Sequence, residues 1–311
     1  MKDAKFLTLN DDDPRVAAAY AAERRLFEYY KLSYETRYIT VCGVKIRLLE
    51  FGAGDPLLIV PGNTGDGFVF APLLPHLKNK RVVLLNRPGG GLSDGLDHRL
   101  VGNMREFAVQ TLIGVLDALN IEKLPVAAHS MGGHWSLWLA SDRPERVTSL
   151  TLLGVPGNVL NTRPPFALRL AAVRGLNKIV FRAIVPKSKQ TALKGLSFMG
   201  HSQNTVRSLP DEMSECYFRF QNLPHYAVSS LSLMESMSRE YRISAAVLKT
   251  ITQPVNLIWG ENDSFGKVET GREIAKTLPN AAFHLVQGGG HLPWLDAPKE
   301  CAKILLDGIN A

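Results

Sequence analysis

The chain has 311 residues, 45% of them apolar and 21% charged, a balance ordinary for a soluble globular protein and enough for one large α/β domain or a core with an insertion. No apolar run approaches the roughly 20 residues needed to cross a bilayer, and the N-terminal segment lacks the apolar stretch of a secretory signal. The net charge of +7 is concentrated between Pro156 and Thr250, where 13 Lys and Arg face 5 Asp and Glu. With no nucleic-acid motif or aromatic-interleaved basic run beside it, that excess reads as a solvated surface. Cys42, Cys216 and Cys301 are odd in number and follow no metal-ligand spacing, which points to free thiols in a reducing cytoplasm.

Asp13-Pro14 is a helix start, an N-cap followed by proline, and the helix is expected to run to about Tyr30. It is expected to pack on the core or a second subunit and to take no part in function. Thr36 to Val41 and Val44 to Phe51 alternate as two antiparallel edge strands around Cys42-Gly43. Pro56 to Val60 is a buried strand leading into Pro61-Gly62-Asn63-Thr64-Gly65-Asp66-Gly67. A phosphate-cradling reading of that loop fails because no Lys-Ser/Thr follows the last glycine. Arg81 to Asn86 is the next buried strand, and Arg87-Pro88-Gly89-Gly90-Gly91-Leu92-Ser93-Asp94 follows it. Its glycines suit tight turns, and Ser93 and Asp94 suit local hydrogen bonding and helix capping. Met104 to Leu119 is an amphipathic helix with Phe107, Leu112, Val115, Leu116 and Leu119 inward.

Leu124 to Ala128 is an apolar run without helical period, the mark of a buried parallel strand, and Trp135, Trp138 and Leu139 recur at helical spacing after it. Between them, Ser130 stands at the apex of a turn of small residues. Such a strand-turn-helix lifts a hydroxyl clear of the sheet and leaves the next amide free to receive negative charge. His129 and His134 flank the serine and are given no catalytic part. Val147 to Val155 is another buried strand. From Pro156 to about Ala245 the pattern is helical, broken by Pro164-Pro165, Pro186, Pro210 and Pro224, and His201, Cys216 and His225 read as ordinary packing groups. Pro254 to Gly260 and Phe283 to Val286 are the last strands, each followed by a loop carrying a candidate: Asp263 after the first, His291 after the second. Lys299 to Ile309 closes the chain as a helix. Strands alternating with helices at this spacing imply an α/β fold, a mostly parallel doubly wound sheet with helices on both faces.

Ser130, Asp263 and His291 each lie just past the carboxyl end of a buried strand, where a doubly wound sheet gathers its site residues, in the order Ser…Asp…His. A serine hydroxyl is a weak nucleophile that needs a base, and the base needs an orienting acid. Asp263 is preferred to Glu261, Glu269 and Asp296 by its spacing from Trp259-Gly260. The segment Ala128-His129-Ser130-Met131-Gly132 resembles the G-x-S-x-G nucleophile elbow of the α/β-hydrolase family, with alanine for the first glycine. The Arg87 to Asp94 segment, Trp259-Gly260 with Asp263, and the glycine loop before His291 are similar to that family's as well.

The resemblance implies an α/β-hydrolase core over residues 1–155 and 246–311, with the N-terminal helix at 13–30. It implies a helical cap over 156–245, inserted after the sixth strand. It also implies an oxyanion hole from the backbone N–H groups of Asn63 and Met131, with Pro61 where a histidine is common. Aspartate-nucleophile relatives, the haloalkane dehalogenases and epoxide hydrolases, are set aside by Ser130. The expected activity is hydrolysis of a carboxylic ester, lactone or thioester through an acyl-enzyme on Ser130. The alternatives are a C–C bond hydrolase with the same triad and, ranked lower, a ligand-binding receptor with a vestigial triad. No cofactor or metal is implied. The expected partner is a small ester-type substrate and not nucleic acid; peripheral lipid contact through the basic cap is the lesser reading, and oligomeric state is left open.

Overall fold

In the computed structural model, which describes residues 6–63, 66–154, 156–162, 166–171, 173, 175–236 and 242–310, eight strands hydrogen-bond into one sheet. They are β1 (Tyr34–Val41), β2 (Val44–Phe51), β3 (Asp55–Val60), β4 (Lys80–Leu85), β5 (Leu124–His129), β6 (Val147–Leu153), β7 (Val255–Gly260) and β8 (Ala281–Val286). Their spatial order is β1-β2-β4-β3-β5-β6-β7-β8. Every pairing from β4 to β8 is parallel, and β1 and β2 add antiparallel at one end. β1 is the edge strand there, but β2 lies inside the sheet, because β4 takes its other side. The Cys42-Gly43 turn between them has both residues at positive φ, 52° and 79°, the geometry that matches the twist of a tight hairpin.

The central strands read as unbroken apolar runs because both faces are covered. Leu58 and Val60 of β3 join the core cluster formed with α2 (Met104–Ala118) and α3 (Met131–Asp142). Leu57 and Ile59 join the opposite cluster with α1 (Pro14–Tyr29) and residues of the C-terminal helix. Each fully buried aliphatic side chain of this kind contributes roughly 1.5–3 kcal/mol. β6 ends at Leu153, and the expected strand terminus Val155 lies outside the described residues, as does the Pro164-Pro165 break.

Between β6 and β7 the named elements are helices, from α4 (Phe166–Ala171) and α5 (Leu176–Ile184) through α6 (Lys194–Phe198), α7 (Gln203–Ser208), α8 (Asp211–Gln221), α9 (Tyr226–Ser236) and α10 (Ala245–Leu248). The chain then completes with α11 (Val268–Thr277), α12 (Pro293–Asp296) and α13 (Pro298–Asn310). This insertion is stitched to the core by α9, whose Ser229 and Ser232 hydroxyls each accept an amide at 3.0 Å, from Leu96 and His98 respectively. The Arg87–Asp94 loop turns on Gly89 and Gly91 at positive φ. Ser93 and Asp94 do not cap a helix as the sequence suggests. The Ser93 hydroxyl takes the Arg47 amide and donates to the Asn86 carbonyl, and Asp94 accepts the Leu9 amide, so both tie the loop to neighbouring backbone.

α1 begins as its N-cap dictates, with the Asp13 carboxylate accepting the Arg15 amide, and buries Val16, Ala19, Ala22, Leu26 and Phe27. It packs against α8 of the insertion. It also buries Glu23, whose carboxylate accepts from Arg47 of β2 at 2.6 Å with both side chains almost wholly removed from solvent. Glu23 Oε1 and Arg47 Nε find no hydrogen-bond partner among the described residues, so desolvation of the pair is incompletely offset. Arg47→Ala should therefore cost about 3–5 kcal/mol in urea unfolding by stranding the carboxylate, whereas the joint change Glu23→Leu with Arg47→Met should recover most of that loss.

Candidate active site

Ser130 is the junction between β5 and α3, and its backbone sits at φ 48° and ψ −115°, a conformation that non-glycine residues rarely adopt. Packing around the turn holds it there. Gly132 lies so close to β3 that a Cβ would stand 2.2 Å from the Val60 carbonyl oxygen, and Ala128, Trp135, Leu137 and Leu139 are fully buried on either side. The methyl of Ala128 is thus accommodated where the family writes glycine. The amide of Met131 is the first of α3 and has no acceptor within the helix, which leaves it available to an incoming anion.

Asp263 lies three residues past the end of β7 and His291 five past the end of β8, and the structure brings the two side chains together. His291 Nδ1 is 3.0 Å from each carboxylate oxygen, and both side chains are nearly inaccessible. Asp263 also accepts the Phe265 amide at 2.8 Å, and the Phe265 ring stacks on the imidazole at 3.9 Å and 16°. With Nδ1–H given to the carboxylate, Nε2 keeps its lone pair. Two of the acids weighed against Asp263 are engaged elsewhere: Glu261 accepts the Gly288 amide, and Asp296 pairs with His201.

Ser130 stands beside this pair through its neighbour. The His129 ring lies 4.7 Å from the His291 ring, centroid to centroid, and its Nε2 is 3.2 Å from the His291 carbonyl. Among the described residues, no hydrogen bond joins Ser130 Oγ to His291. Such contacts are often open in a ligand-free site and tighten only in the substrate complex.

The loop after β3 is held by Arg87. Its guanidinium donates to the carbonyls of Pro61, Gly62 and Asn63 and lies 4.9 Å from the Trp135 ring centre. Burial pushes this Arg down to about 10, with the Asp66 charge opposing, so it remains charged at neutral pH. Gripping three consecutive carbonyls orients the intervening amides, including that of Asn63. Asp66 ties the far end of the loop by accepting the Gly91 amide at 2.8 Å; Thr64 and Gly65 lie outside the described residues.

Three participants are not legible as such in the sequence. His129 is held neutral well below the usual histidine range, by burial first and by His291 second, and Gly62 leaves room for it, since a Cβ there would be 2.6 Å from Nδ1. Arg87 is the second. The third is His201, in the insertion between α6 and α7, which is buried and bonds Asp296 Oδ2 through Nδ1 at 2.8 Å. For His129 the signal was its place next to the serine and for Arg87 its place at the head of the family-like loop; His201 carried none.

The family model described as alpha/beta hydrolase fold matches residues 55–298. An uncharacterized hydrolase of Bacillus subtilis is 25% identical over 280 residues, covering 88% of this chain and 97% of its own. A 2-hydroxy-6-oxononadienedioate/2-hydroxy-6-oxononatrienedioate hydrolase of Paraburkholderia phymatum is 28% identical over 287 residues, covering 88% and 96%. Among solved structures, the naproxen esterase (carboxylesterase NP) of Bacillus subtilis superposes with a TM-score of 0.76 at 16% identity, covering 95% of this chain and 98% of its own. A meta-cleavage product hydrolase from Pseudomonas fluorescens gives 0.71 at 20%, covering 88% and 97%. At these identities the structural likenesses speak for the fold.

Burial holds three histidines neutral: His129, His98 (down to about 3, with Arg87 adding to the effect) and His225 (down to about 4). The unfolded chain protonates each near pH 6.5, whereas the folded protein does not. Stability should therefore be full above about pH 6.5 and fall as the pH drops toward 4, by up to about 1.4 kcal/mol per pH unit for each histidine. Urea midpoints measured from pH 7.5 to 4.5 check this; a flat profile would contradict the buried neutral state.

Proposed function

The chain belongs to the alpha/beta hydrolase fold family, and within it we propose that it is a serine hydrolase cleaving carboxylic esters, lactones or thioesters through an acyl-enzyme on Ser130. The observation that carries this reading is the buried Asp263–His291 pair set beside the strained turn that bears Ser130. In the proposed cycle Nε2 of His291 removes the Ser130 proton as Oγ attacks the acyl carbon. Asp263 keeps the imidazole in the tautomer with Nδ1–H and steadies the imidazolium that forms. The amides of Met131 and Asn63 receive the oxyanion, each donor of this kind contributing about 2.7–4 kcal/mol to the barrier. His291 then returns the proton to the leaving alcohol or thiol, and a water activated by the same nitrogen releases the acid and frees Ser130.

The helices from α4 to α9 act in this reading as a cap that closes the site from water and sets which substrates enter. Three free cysteines, Cys216 and Cys301 among them buried, support a reducing compartment, and we place the protein in the cytoplasm. No helix among the described residues is long and apolar enough to cross a membrane.

Cleavage of a C–C bond is the second reading, favoured by the names of relatives such as the Paraburkholderia phymatum hydrolase. The same serine, base and oxyanion donors would serve there, with a proton delivered to a carbon leaving group. A panel of p-nitrophenyl esters and lactones, set beside a vinylogous diketone, separates the two. Ester turnover that drops at least about a thousandfold in Ser130→Ala is the expected result. Turnover confined to the diketone would replace the ester reading. Fluorophosphonate labelling of Ser130 without turnover of any substrate would instead leave a ligand-binding receptor.

A further inference from the structure

Three consecutive amides in the loop that carries His291 are all held from one place. Gly290 N donates to Asp296 Oδ2 at 2.9 Å, His291 N to the Met199 carbonyl at 2.8 Å, and Leu292 N to His201 Nε2 at 3.2 Å. His201 in turn bonds Asp296 Oδ2 through Nδ1, and Thr205 Oγ1 donates to Asp296 Oδ1 at 2.7 Å. Because Leu292 N–H points at Nε2, the ring proton resides on Nδ1, facing the carboxylate. Burial raises Asp296, but His201, the Gly290 amide and Thr205 together more than offset it and hold the carboxyl below its usual range. The approach is close: a Cβ on Gly290 would lie 2.8 Å from the His201 ring, and one on Gly200 would lie 1.9 Å from the carbonyl of Asn262, the residue before Asp263. Met199, Gly200 and His201 therefore wedge between the acid loop and the histidine loop.

We propose that His201 and Asp296 are positioning residues that couple the seating of the helical insertion to the placement of the His291 imidazole. The inference rests on the catalytic reading of Ser130, Asp263 and His291. His201→Ala should slow turnover of the best ester about tenfold or more with little change in KM, since the imidazole is displaced and the substrate pocket is not. His201→Asn, whose amide nitrogen falls where Nδ1 does, keeps the Asp296 bond and should recover part of that rate. Amide hydrogen exchange at Gly290, His291 and Leu292 should quicken in His201→Ala and in Asp296→Asn. Exchange is read without any substrate, so it tests the clamp even if no ester is turned over. Unchanged exchange and a rate within twofold of the parent would overturn the proposal. Should His201→Ala fail to fold, Asp296→Asn and His201→Asn carry the same comparison.

A separate observation concerns the outer face of the insertion. Between Pro156 and Pro210 the sequence has nine Lys and Arg and no Asp or Glu. There α4 and α5, which pack on each other, leave large apolar side chains in solvent: Phe166 is 66% exposed and Ile179 67%, with Leu176, and Val173 between the two helices, about half exposed. Arg169, Lys178 and Arg182 are exposed on the same two helices. Glu235 of α9 reaches α5 but is engaged there by Asn177 and by Arg99. Exposed apolar side chains on helices that carry cations and no acid of their own fit an anionic lipid surface better than they fit water. We infer that this face docks on anionic bilayers. Vesicles of phosphatidylglycerol and phosphatidylcholine should co-sediment the protein at low salt, and vesicles of phosphatidylcholine alone should not. Phe166→Ser with Ile179→Ser, and separately Lys178→Glu with Arg182→Glu, should each weaken partitioning about tenfold while leaving the melting temperature unchanged. No binding to either vesicle, or self-association through this face in light scattering that the serine pair abolishes, would overturn it.

Discussion

The closeness of α3 to β3 is the constraint on which the site depends. With the Val60 carbonyl 2.2 Å from where a Cβ of Gly132 would be, only glycine lets the helix start directly behind the sheet. That start leaves Ser130 no relaxed backbone conformation, and the turn stores strain of order 1–3 kcal/mol. Buried Trp135 and the strands around β5 supply far more than this in apolar contact, so the Ser130 hydroxyl and the leading amide of α3, that of Met131, are kept at one point. Everything else in the candidate site is arranged around that point.

Two kinds of grip do the arranging. Arg87 holds carbonyls on one side, fixing the loop that contains Asn63, and His201 with Asp296 holds amides on the other, fixing the loop that contains His291. His129 joins the sides, since its ring lies against His291 and packs edge-on to Trp294 at 4.9 Å. A cation buried among carbonyls and an imidazole buried against an amide are each costly alone, and each is stabilised by the backbone it orders.

Much of this was legible in the sequence because it is local. The apolar runs of β3, β5 and β7, the small residues around Ser130 and the glycines before His291 announce strands and turns within a few residues of themselves. What was not legible depends on contacts across the chain. His201 meets Asp296 and Leu292 some 90 residues later, with nothing in its own neighbourhood to mark it. Ser93 and Asp94 looked like caps because their residue types suit a helix start; β2 and the N-terminal segment reach the same oxygens first. The interior place of β2 was hidden for a like reason, as alternation records which face is covered and says nothing about how many neighbours a strand has.

The leader helix α1 lies outside the stretch matched by the family model, yet it packs on α8 and anchors a buried ion pair into β2. In the proposed reading, where these helices roof the nucleophile, the roof stands partly on a pillar that lies outside both the matched stretch and the roof itself. Swapping helical roofs between relatives to change selectivity would have to carry this pillar along, because a foreign α8 would meet a surface shaped for another partner.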